Sequence, residues 1–370
     1  MRTTGVPLRL HFDVNKTLNF VDPVKGETLE QAVTRMLCDA TWGHVTESGD
    51  WQWDEQAPTA QRPTGVAVCV SYTEFLQRHR QLSRTNEIEA QTQFLAAGHP
   101  GHKEPVIKAF DTFIEKLSLD AATIMDARNV GLGDLLRRSY FLLPAFFRLL
   151  EHLRDTGREF SLVFRTFGVD LPSVKREFNV LCRGRHPLSD FSMPTKRLDP
   201  VRMVSLWRRD EAPHVALVPG YGWDSDDELK AETELTDIPV PVLLGDANVR
   251  SFFNDVAAAG RTLGVRDMHD HWKTKGKQSI AGKLCYVDRS ARRHLTVFFD
   301  DNVKEEDAYI VDLRDEETGD PLPFKEATGT FLVRVVPFEM LLDDNYYIKA
   351  LKACEERLGA AKSDSQPMGV

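Results

Sequence analysis

Short apolar runs alternate with longer amphipathic segments along most of the chain. Residues 6–12, 160–164 and 294–299 are mostly apolar, as expected of buried strands. Between the first two of these runs, residues 104–117 and 140–154 carry apolar side chains at helical spacing. Strands that alternate with helices are typical of a parallel α/β sheet. We therefore expect a Rossmann-like parallel sheet with helices on both faces.

The remaining periodic segments extend the same pattern. Helical spacing predicts further helices at residues 27–38, 173–181, 249–259 and 347–358. Strand-like runs lie at residues 45–53, 66–70, 201–207, 214–218, 241–244, 309–313 and 331–336. The final dozen residues are rich in Ser, Asp, Gly and Pro, and we expect them to be disordered.

Composition and charge narrow the class of protein. The 370 residues carry a net charge of −9, which argues against a general nucleic-acid binder. No run reaches the roughly 18 apolar residues of a membrane-spanning helix, so no membrane partner is expected. The five cysteines are scattered and contain no CxxC pair, which indicates reduced thiols and a cytoplasmic location.

Polar side chains that carry oxygen atoms follow three of the predicted strands. Asp13 ends the first, Thr166 follows the second, and Asp300 and Asp301 follow the third. Ligands of open α/β sheets bind at the carboxyl ends of the strands. A phosphoryl group needs a nucleophile, cations against its oxygens and hydrogen-bond donors, and Mg²⁺ prefers oxygen ligands. These strand ends therefore predict a site for phosphate and magnesium.

The segment that begins at Asp13 resembles the first motif of the haloacid dehalogenase (HAD) superfamily, in which a strand ends in Asp-x-Asp-x-Thr. Asn15 stands at the position of the second aspartate, and Thr17 matches the closing threonine. Thr166 matches the Ser/Thr of the second motif, and Asp300 with Asp301 matches the acidic pair of the fourth.

The third HAD motif is a lysine near a helix start. Lys273, Lys275 and Lys277 compete for this role, and we choose Lys275, which precedes Gly276. A small histidine cluster, His269-Asp270-His271, could hold a transition metal if it lay in a strand, but a polar loop near the site fits it better.

The resemblance implies a role for each matched residue. Asp13 would be the nucleophile, and Asn15 occupies the place of the general acid/base, whose main-chain carbonyl also binds the metal. Thr166 and Lys275 would hold the phosphoryl oxygens. The implied cofactor is Mg²⁺, with Asp13, Asn15, Asp300 and Asp301 as its ligands.

The resemblance also implies how the chain divides into domains. Residues 1–22, 157–182 and 265–345 would form the HAD-like core, and residues 23–156 a cap insertion that is helical with some strand. Residues 183–264 are a second insertion or an extension of the core. Residues 346–370 would form a C-terminal helix and a disordered tail.

The presence of Asn15 leads to two hypotheses about function. The first hypothesis is a magnesium-dependent phosphohydrolase or phosphotransferase with slow or specialised turnover, because an amide cannot act as a general acid or base. The alternative is a catalytically degraded HAD-fold protein that binds a phosphorylated ligand or a protein partner. Chemistry at carbon–halogen or carbon–phosphorus bonds is a further alternative. The ligand in the first hypothesis is a small phosphorylated compound, and the sequence predicts no oligomeric state.

Overall fold

A mostly parallel sheet of eight strands organises an α/β fold. The computed structural model describes residues 5–21, 26–54, 56–64, 69–95, 104–210, 214–219 and 242–364. The strands in this part of the chain are β1 (Leu8–Asp13), β2 (Trp42–Val45), β3 (Trp51–Trp53), β4 (Val70–Ser71), β5 (Phe160–Thr166), β6 (Met203–Arg208), β7 (Val215–Pro219), β8 (Leu243–Leu244), β9 (Thr262–Asp267), β10 (Lys283–Val287), β11 (Leu295–Asp300), β12 (Val311–Asp315) and β13 (Leu332–Arg334).

The helices connect these strands and cover the sheet. They are α1 (Leu29–Ala40), α2 (Tyr72–Arg78), α3 (Arg84–Leu95), α4 (Glu104–Leu117), α5 (Ala121–Asn129), α6 (Pro144–Asp155), α7 (Leu171–Cys182), α8 (Asp246–Ala258), α9 (His269–Thr274), α10 (Phe324–Ala327), α11 (Pro337–Leu342) and α12 (Tyr346–Asp364). No helix in the described ranges is long and apolar enough to cross a bilayer.

The order of strands in the main sheet places β1 near its centre. The order is β13-β11-β1-β5-β9-β6-β7-β8. β1 pairs in parallel with β11 and β5, β9 lies parallel between β5 and β6, and β7 is antiparallel to β6 and β8. β10 and β12 form a separate two-stranded parallel sheet, and β2, β3 and β4 form a small antiparallel one. The prediction of an α/β fold with a mostly parallel sheet is confirmed.

Alternation along β1 explains why the sheet is covered on both faces, since successive side chains of a strand point to opposite sides. Phe12 packs on one face against Phe146 of α6, with ring centroids 5.3 Å apart. On the other face Arg9 donates a hydrogen bond of 2.6 Å to Asn254 of α8, and the His11 ring lies 6.0 Å from that of Phe253. Each face of the sheet therefore has its own helical layer.

A buried ion pair attaches the β10–β12 sheet to the main sheet. Arg165 of β5 donates two hydrogen bonds, 2.9 and 2.5 Å long, to the carboxylate of Asp267 at the end of β9. Its third donor contacts the carbonyl oxygen of Leu284 in β10 at 2.9 Å. Because both charged side chains are almost completely buried, this geometry fixes β10 against β5 and β9.

Several expectations from the sequence differ from the structure. β9 and β10 were not predicted from the sequence. Residues 183–264, which the sequence left as a second insertion or an extension of the core, contribute β6, β7 and β8 to the main sheet. α12 continues to Asp364, so the disorder predicted for the final dozen residues is wrong for the first six of them. Residues 66–68, 241 and 365–370 of the predicted elements lie outside the described part.

All five cysteines lie among the described residues, and all are buried free thiols. None of them forms a disulfide, so the fold is held by packing and by buried polar contacts.

Because the Arg165–Asp267 pair is buried, removing its carboxylate should lower the free energy of unfolding much more than removing an exposed carboxylate. Asp267→Ala leaves a buried guanidinium without its counter-charge, which should lower the free energy of unfolding by about 3–5 kcal/mol. The matched control is Asp134→Ala, which removes the exposed partner of Arg176 and should cost less than about 1 kcal/mol. Urea denaturation measures both, and equal losses would contradict a structural role for the buried pair.

Candidate active site

Three neighbouring strands bring the predicted site residues to one edge of the sheet. Asp13 is the last residue of β1, Thr166 the last of β5 and Asp300 the last of β11. Since β5, β1 and β11 are adjacent and parallel, their carboxyl ends lie side by side. The strand-end residues selected from the sequence are therefore brought to the same edge.

A buried lysine joins two of these carboxylates. The Nζ atom of Lys283 lies 2.5 Å from Oδ1 of Asp13 and 2.7 Å from Oδ2 of Asp300. Lys283 is 1% exposed, Asp13 5% and Asp300 0%. The ring of Phe167 covers the same ammonium group, with its centroid 5.2 Å from Nζ. Such charges are tolerated inside a protein because they compensate one another.

Lys283 reaches this position because β10 begins directly beside the site. Its main-chain N–H donates a hydrogen bond of 2.7 Å to the carbonyl oxygen of Ile310, just before β12. Gly282 precedes it, and a Cβ atom at Gly282 would lie 2.2 Å from that same oxygen. Only glycine therefore lets the two chains approach closely enough to start the β10–β12 sheet and direct Lys283 inward.

The charges of the cluster change the pKa values of its members. Burial raises the pKa of Asp13, the carboxylates of Asp300 and Asp301 act in the same direction, and the ammonium of Lys283 opposes them. Burial alone would lower the pKa of Lys283, but Asp13 and Asp300 together raise it. Lys283 therefore stays protonated. Burial raises the pKa of Asp301 to about 7, and the charge of Asp300 adds to this effect.

The cluster has the composition of a magnesium site. One oxygen from each of Asp13, Asp300 and Asp301 lies within 4.8 Å of the other two. Asn302 holds the acidic pair in place: its main-chain N–H donates to Asp300 and its side-chain amide to Asp301, both at 2.8 Å. Carboxylate oxygens are the ligands that Mg²⁺ prefers, so these residues fit the ion.

The turn after Asp13 is fixed by main-chain contacts. Val14 donates from its N–H to the carbonyl oxygen of Arg165 at 3.0 Å, and Lys16 adopts a left-handed conformation with φ of 60°. The carbonyl oxygen of Thr17 accepts a hydrogen bond of 2.6 Å from the hydroxyl of Tyr347 in α12. The C-terminal helix therefore stabilises the loop that carries Asn15.

Asn15 contacts a carboxylate that the sequence analysis did not identify. Its Nδ2 atom donates to Oδ2 of Asp170 at 3.1 Å, and the hydroxyl of Thr166 donates to the same oxygen, also at 3.1 Å. Asp170 lies four residues after Thr166 and directly before α7, where an aspartate ordinarily reads as a helix cap. For this reason Asp170 was not predicted as a site residue.

A cavity of about 690 Å³ opens beside the acidic cluster. Its lining residues belong to the Asn15 loop, to the loop after β11 and to the segment around α1 and α3: Asn15, Lys16, Phe20, Gly26, Glu27, Gln31, Thr34, Arg35, Ile88, Gln91, Thr92, Asp301 and Asn302. Arg35 and Glu27 form an ion pair of 2.6 Å in this wall. Ten of these thirteen lining residues have polar or charged side chains, which could contact a polar small molecule.

Lys275 does not occupy the place expected of it. Its side chain is 42% exposed and pairs with Asp210 at 2.7 Å, whereas Lys283 contacts Asp13 and Asp300. Lys275 directly follows the short helix α9, and its ammonium group contacts Asp210. The available signal for Lys283 was a lysine at the start of a buried apolar run, because such a lysine requires carboxylate partners.

The histidine cluster lies in α9 rather than in a strand. Residues two apart in a helix do not face the same way, so His269 and His271 are not arranged to share an ion. Among the described residues, the potential metal ligands that come together in a group of three are Asp13, Asp300 and Asp301. The ring of His269 packs instead on Phe167, with centroids 5.5 Å apart.

Comparisons with models of known protein families, with curated proteins and with solved structures gave no match. The functional conclusion therefore depends on the geometry of the site and on the motifs of its residues.

The raised pKa of Asp301 predicts a pH-dependent effect on stability. Its folded-state pKa of about 7 exceeds that of an unfolded aspartate, so ionising Asp301 destabilises the folded chain as the pH rises from about 4 to 7. In magnesium-free buffer Asp301→Asn should therefore raise the melting temperature relative to the native chain by at least about 2 °C more at pH 8 than at pH 5. The exposed Asp307→Asn is the control, and a difference independent of pH would contradict the assignment.

Proposed function

We propose that the chain is a magnesium-dependent phosphohydrolase or phosphotransferase of HAD type with Asp13 as its nucleophile. The observation that carries the proposal is the placement of Lys283 between Asp13 and Asp300 at the carboxyl edge of the parallel strands. In this proposal the main sheet is a Rossmann-like, HAD-like core, and residues 23–156 include a cap that closes over the cavity.

Asp13 has the surroundings that a carboxylate nucleophile needs. It is nearly buried, so little water competes for its oxygens; burial raises the pKa of Asp13, and the positive charge of Lys283 opposes this by stabilising the ionised form that attacks. Attack by a carboxylate oxygen on phosphorus would give an aspartyl-phosphate and break the bond to the leaving oxygen, which departs as an alkoxide or phenolate anion and takes its proton from solvent water. Lys283 would then neutralise the negative charge that gathers on the phosphoryl oxygens.

Mg²⁺ would be held by Asp13, Asp300 and Asp301, with the main-chain carbonyl of Asn15 added by the resemblance to the HAD motif. When bound, the ion would neutralise phosphoryl oxygens and help to align the phosphoryl group with Asp13. The three carboxylates carry more negative charge than Lys283 alone balances, which favours a divalent cation at this place.

Asn15 sets the expected rate. An amide does not donate a proton to a leaving oxygen or remove one from water near neutral pH, and loss of such a group typically costs about 10²–10⁴ in rate. Turnover should therefore be slow or confined to substrates with good leaving groups, such as aryl or acyl phosphates. The ligand is a small phosphorylated compound whose polar remainder occupies the cavity.

The same amide favours the second candidate function. A site that keeps its carboxylates and its lysine but lacks a proton donor can bind a phosphorylated ligand without turning it over. The two candidates differ in one observable property, the cleavage of the phosphate ester.

The nucleophile is tested by Asp13→Asn with p-nitrophenyl phosphate and Mg²⁺. Hydrolysis should fall on the order of 10³-fold or more, because an amide forms no phosphorylated intermediate. The exposed control Asp307→Asn should leave the rate unchanged. If the native chain binds inorganic phosphate but hydrolyses nothing, and Asp13→Asn weakens that binding, the protein is a phosphate-binding protein and not an enzyme. Absence of both binding and hydrolysis contradicts both candidates.

The lysine assignment is tested by Lys283→Met, with Lys275→Met as the matched control. Removing Lys283 leaves Asp13 and Asp300 without their counter-charge, so the melting temperature should fall in magnesium-free buffer. Added Mg²⁺ should then raise it by more than it raises that of the native chain, since the ion replaces the lost charge. Lys275→Met should behave like the native chain in both measurements. Equal magnesium effects in all three proteins would contradict the shared site.

A further inference from the structure

Asp170 determines which way the side chain of Asn15 points. An ionised carboxylate can only accept hydrogen bonds, so the atom of Asn15 that faces Asp170 Oδ2 at 3.1 Å must be its nitrogen. The oxygen of the same amide is thereby directed elsewhere. This Oδ1 atom is buried and has no hydrogen-bond partner among the described residues, although Asn15 lines the cavity beside the acidic cluster.

The local chain is built to place the Asp170 carboxylate against Asn15. Asp170 is 3% exposed and stands before α7, yet its side chain makes no helix-capping hydrogen bond. Gly168 leaves the space it needs, because a Cβ atom there would lie 2.6 Å from Asp170 Oδ2. An aspartate that does not cap its helix is therefore used in another way.

Thr166 completes the arrangement. Its hydroxyl donates to the same oxygen of Asp170 at 3.1 Å and accepts a hydrogen bond of 2.8 Å from the main-chain N–H of Gly168. Asp170 thus holds two side chains that approach the phosphoryl group in the proposed function. A buried carboxylate with two charge-assisted contacts fixes both more firmly than a neutral acceptor would.

We propose that Asn15 Oδ1 accepts a hydrogen bond from the water that hydrolyses the Asp13 phosphate, and that Asp170 is the residue that positions it. This inference rests on the proposed function and replaces proton transfer by orientation of the water. A side-chain amide that aligns an attacking water is an established way to assist phosphoryl transfer.

The step balances without a general base. The water oxygen forms a bond to phosphorus, and the bond between phosphorus and the Asp13 oxygen breaks. Its electron pair returns to Asp13 as the carboxylate. One proton of the water passes to a phosphoryl oxygen, so dihydrogen phosphate leaves and Asp13 is regenerated. Asn15 accepts a hydrogen bond throughout and exchanges no proton.

The test separates formation of the phosphorylated protein from its hydrolysis. With p-nitrophenyl phosphate and Mg²⁺, rapid mixing records a burst of nitrophenol for the first step and a steady rate for the second. In Asp170→Asn the amide group of Asn15 can rotate and exchange its oxygen and nitrogen positions, which removes the acceptor for the water. The steady rate should therefore fall on the order of 10-fold or more, while the burst rate changes less than about 2-fold. Intact-mass measurement should show more phosphorylated protein at steady state than in the native chain.

Exchanging the two side chains provides the decisive variant. In the double variant Asn15→Asp, Asp170→Asn, the amide at 170 can donate to the carboxylate at 15, whose second oxygen remains an acceptor towards the water. This exchange should restore the steady rate to the native value or above it, because the new carboxylate at position 15 can also act as a general base, whereas Asp170→Asn alone should not. Because it keeps the hydrogen bond between the positions, it also serves if Asp170→Asn does not fold.

The matched control is Asp134→Asn, an exposed carboxylate that pairs with Arg176 of α7, and it should change neither phase. The role of Asn15 and Asp170 is contradicted if Asp170→Asn lowers the burst and the steady rate equally, if it lowers neither, or if the exchange does not recover the steady rate. In each case the proposed function itself stands, provided that Asp13→Asn abolishes the burst. A native chain that shows neither burst nor hydrolysis overturns the proposed function together with this inference.

Discussion

The ion triad of Lys283, Asp13 and Asp300 is the interaction on which both the fold and the site depend. Placing three charges in the interior is unfavourable unless each has a partner, and here one ammonium contacts two carboxylates. The triad connects β1 and β11 of the main sheet to β10 of the smaller one. Arg165 and Asp267 make a second buried connection to the same strand through β5 and β9. The β10–β12 sheet, which supplies Lys283, is therefore attached to the main sheet by two contacts that involve buried charged side chains.

The requirement that buried polar groups have partners also explains the surroundings of Asn15. Its nitrogen donates to Asp170, its oxygen is buried with no hydrogen-bond partner among the described residues, and Thr166 contacts the same carboxylate. Asp170 makes no side-chain cap of α7, and Gly168 leaves room for its carboxylate to reach Asn15. In the proposed function this amide is a fixed acceptor that orients water, and this role is compatible with slow hydrolysis.

The sequence was most informative where local pattern and local chemistry coincided. β1, β5 and β11 were predictable because each is a mostly apolar run that ends in a polar residue, and parallel strands bring such ends together. The one local sign of Lys283 was its place at the start of an apolar run; its partner Asp13 is 270 residues away, and only the packing of β10 brings the two together. β9 was not predicted because Gly264 is uncommon within strands and because Arg266 and Asp267 are charged; the charge of Asp267 is compensated by the buried Arg165. Asp170 was hidden because an aspartate before a helix usually caps it.

In the proposed function Asp13 is the phosphorylated nucleophile, supported by Lys283 and by the acidic pair. A crystal structure of the protein grown with Mg²⁺ and beryllium fluoride tests this role of Asp13. We expect beryllium bonded to an oxygen of Asp13, Lys283 within hydrogen-bonding distance of the fluorides, and Mg²⁺ about 2.0–2.1 Å from oxygens of the Asp13, Asp300 and Asp301 cluster. Beryllium fluoride absent from Asp13, with Mg²⁺ bound away from these carboxylates, would contradict it.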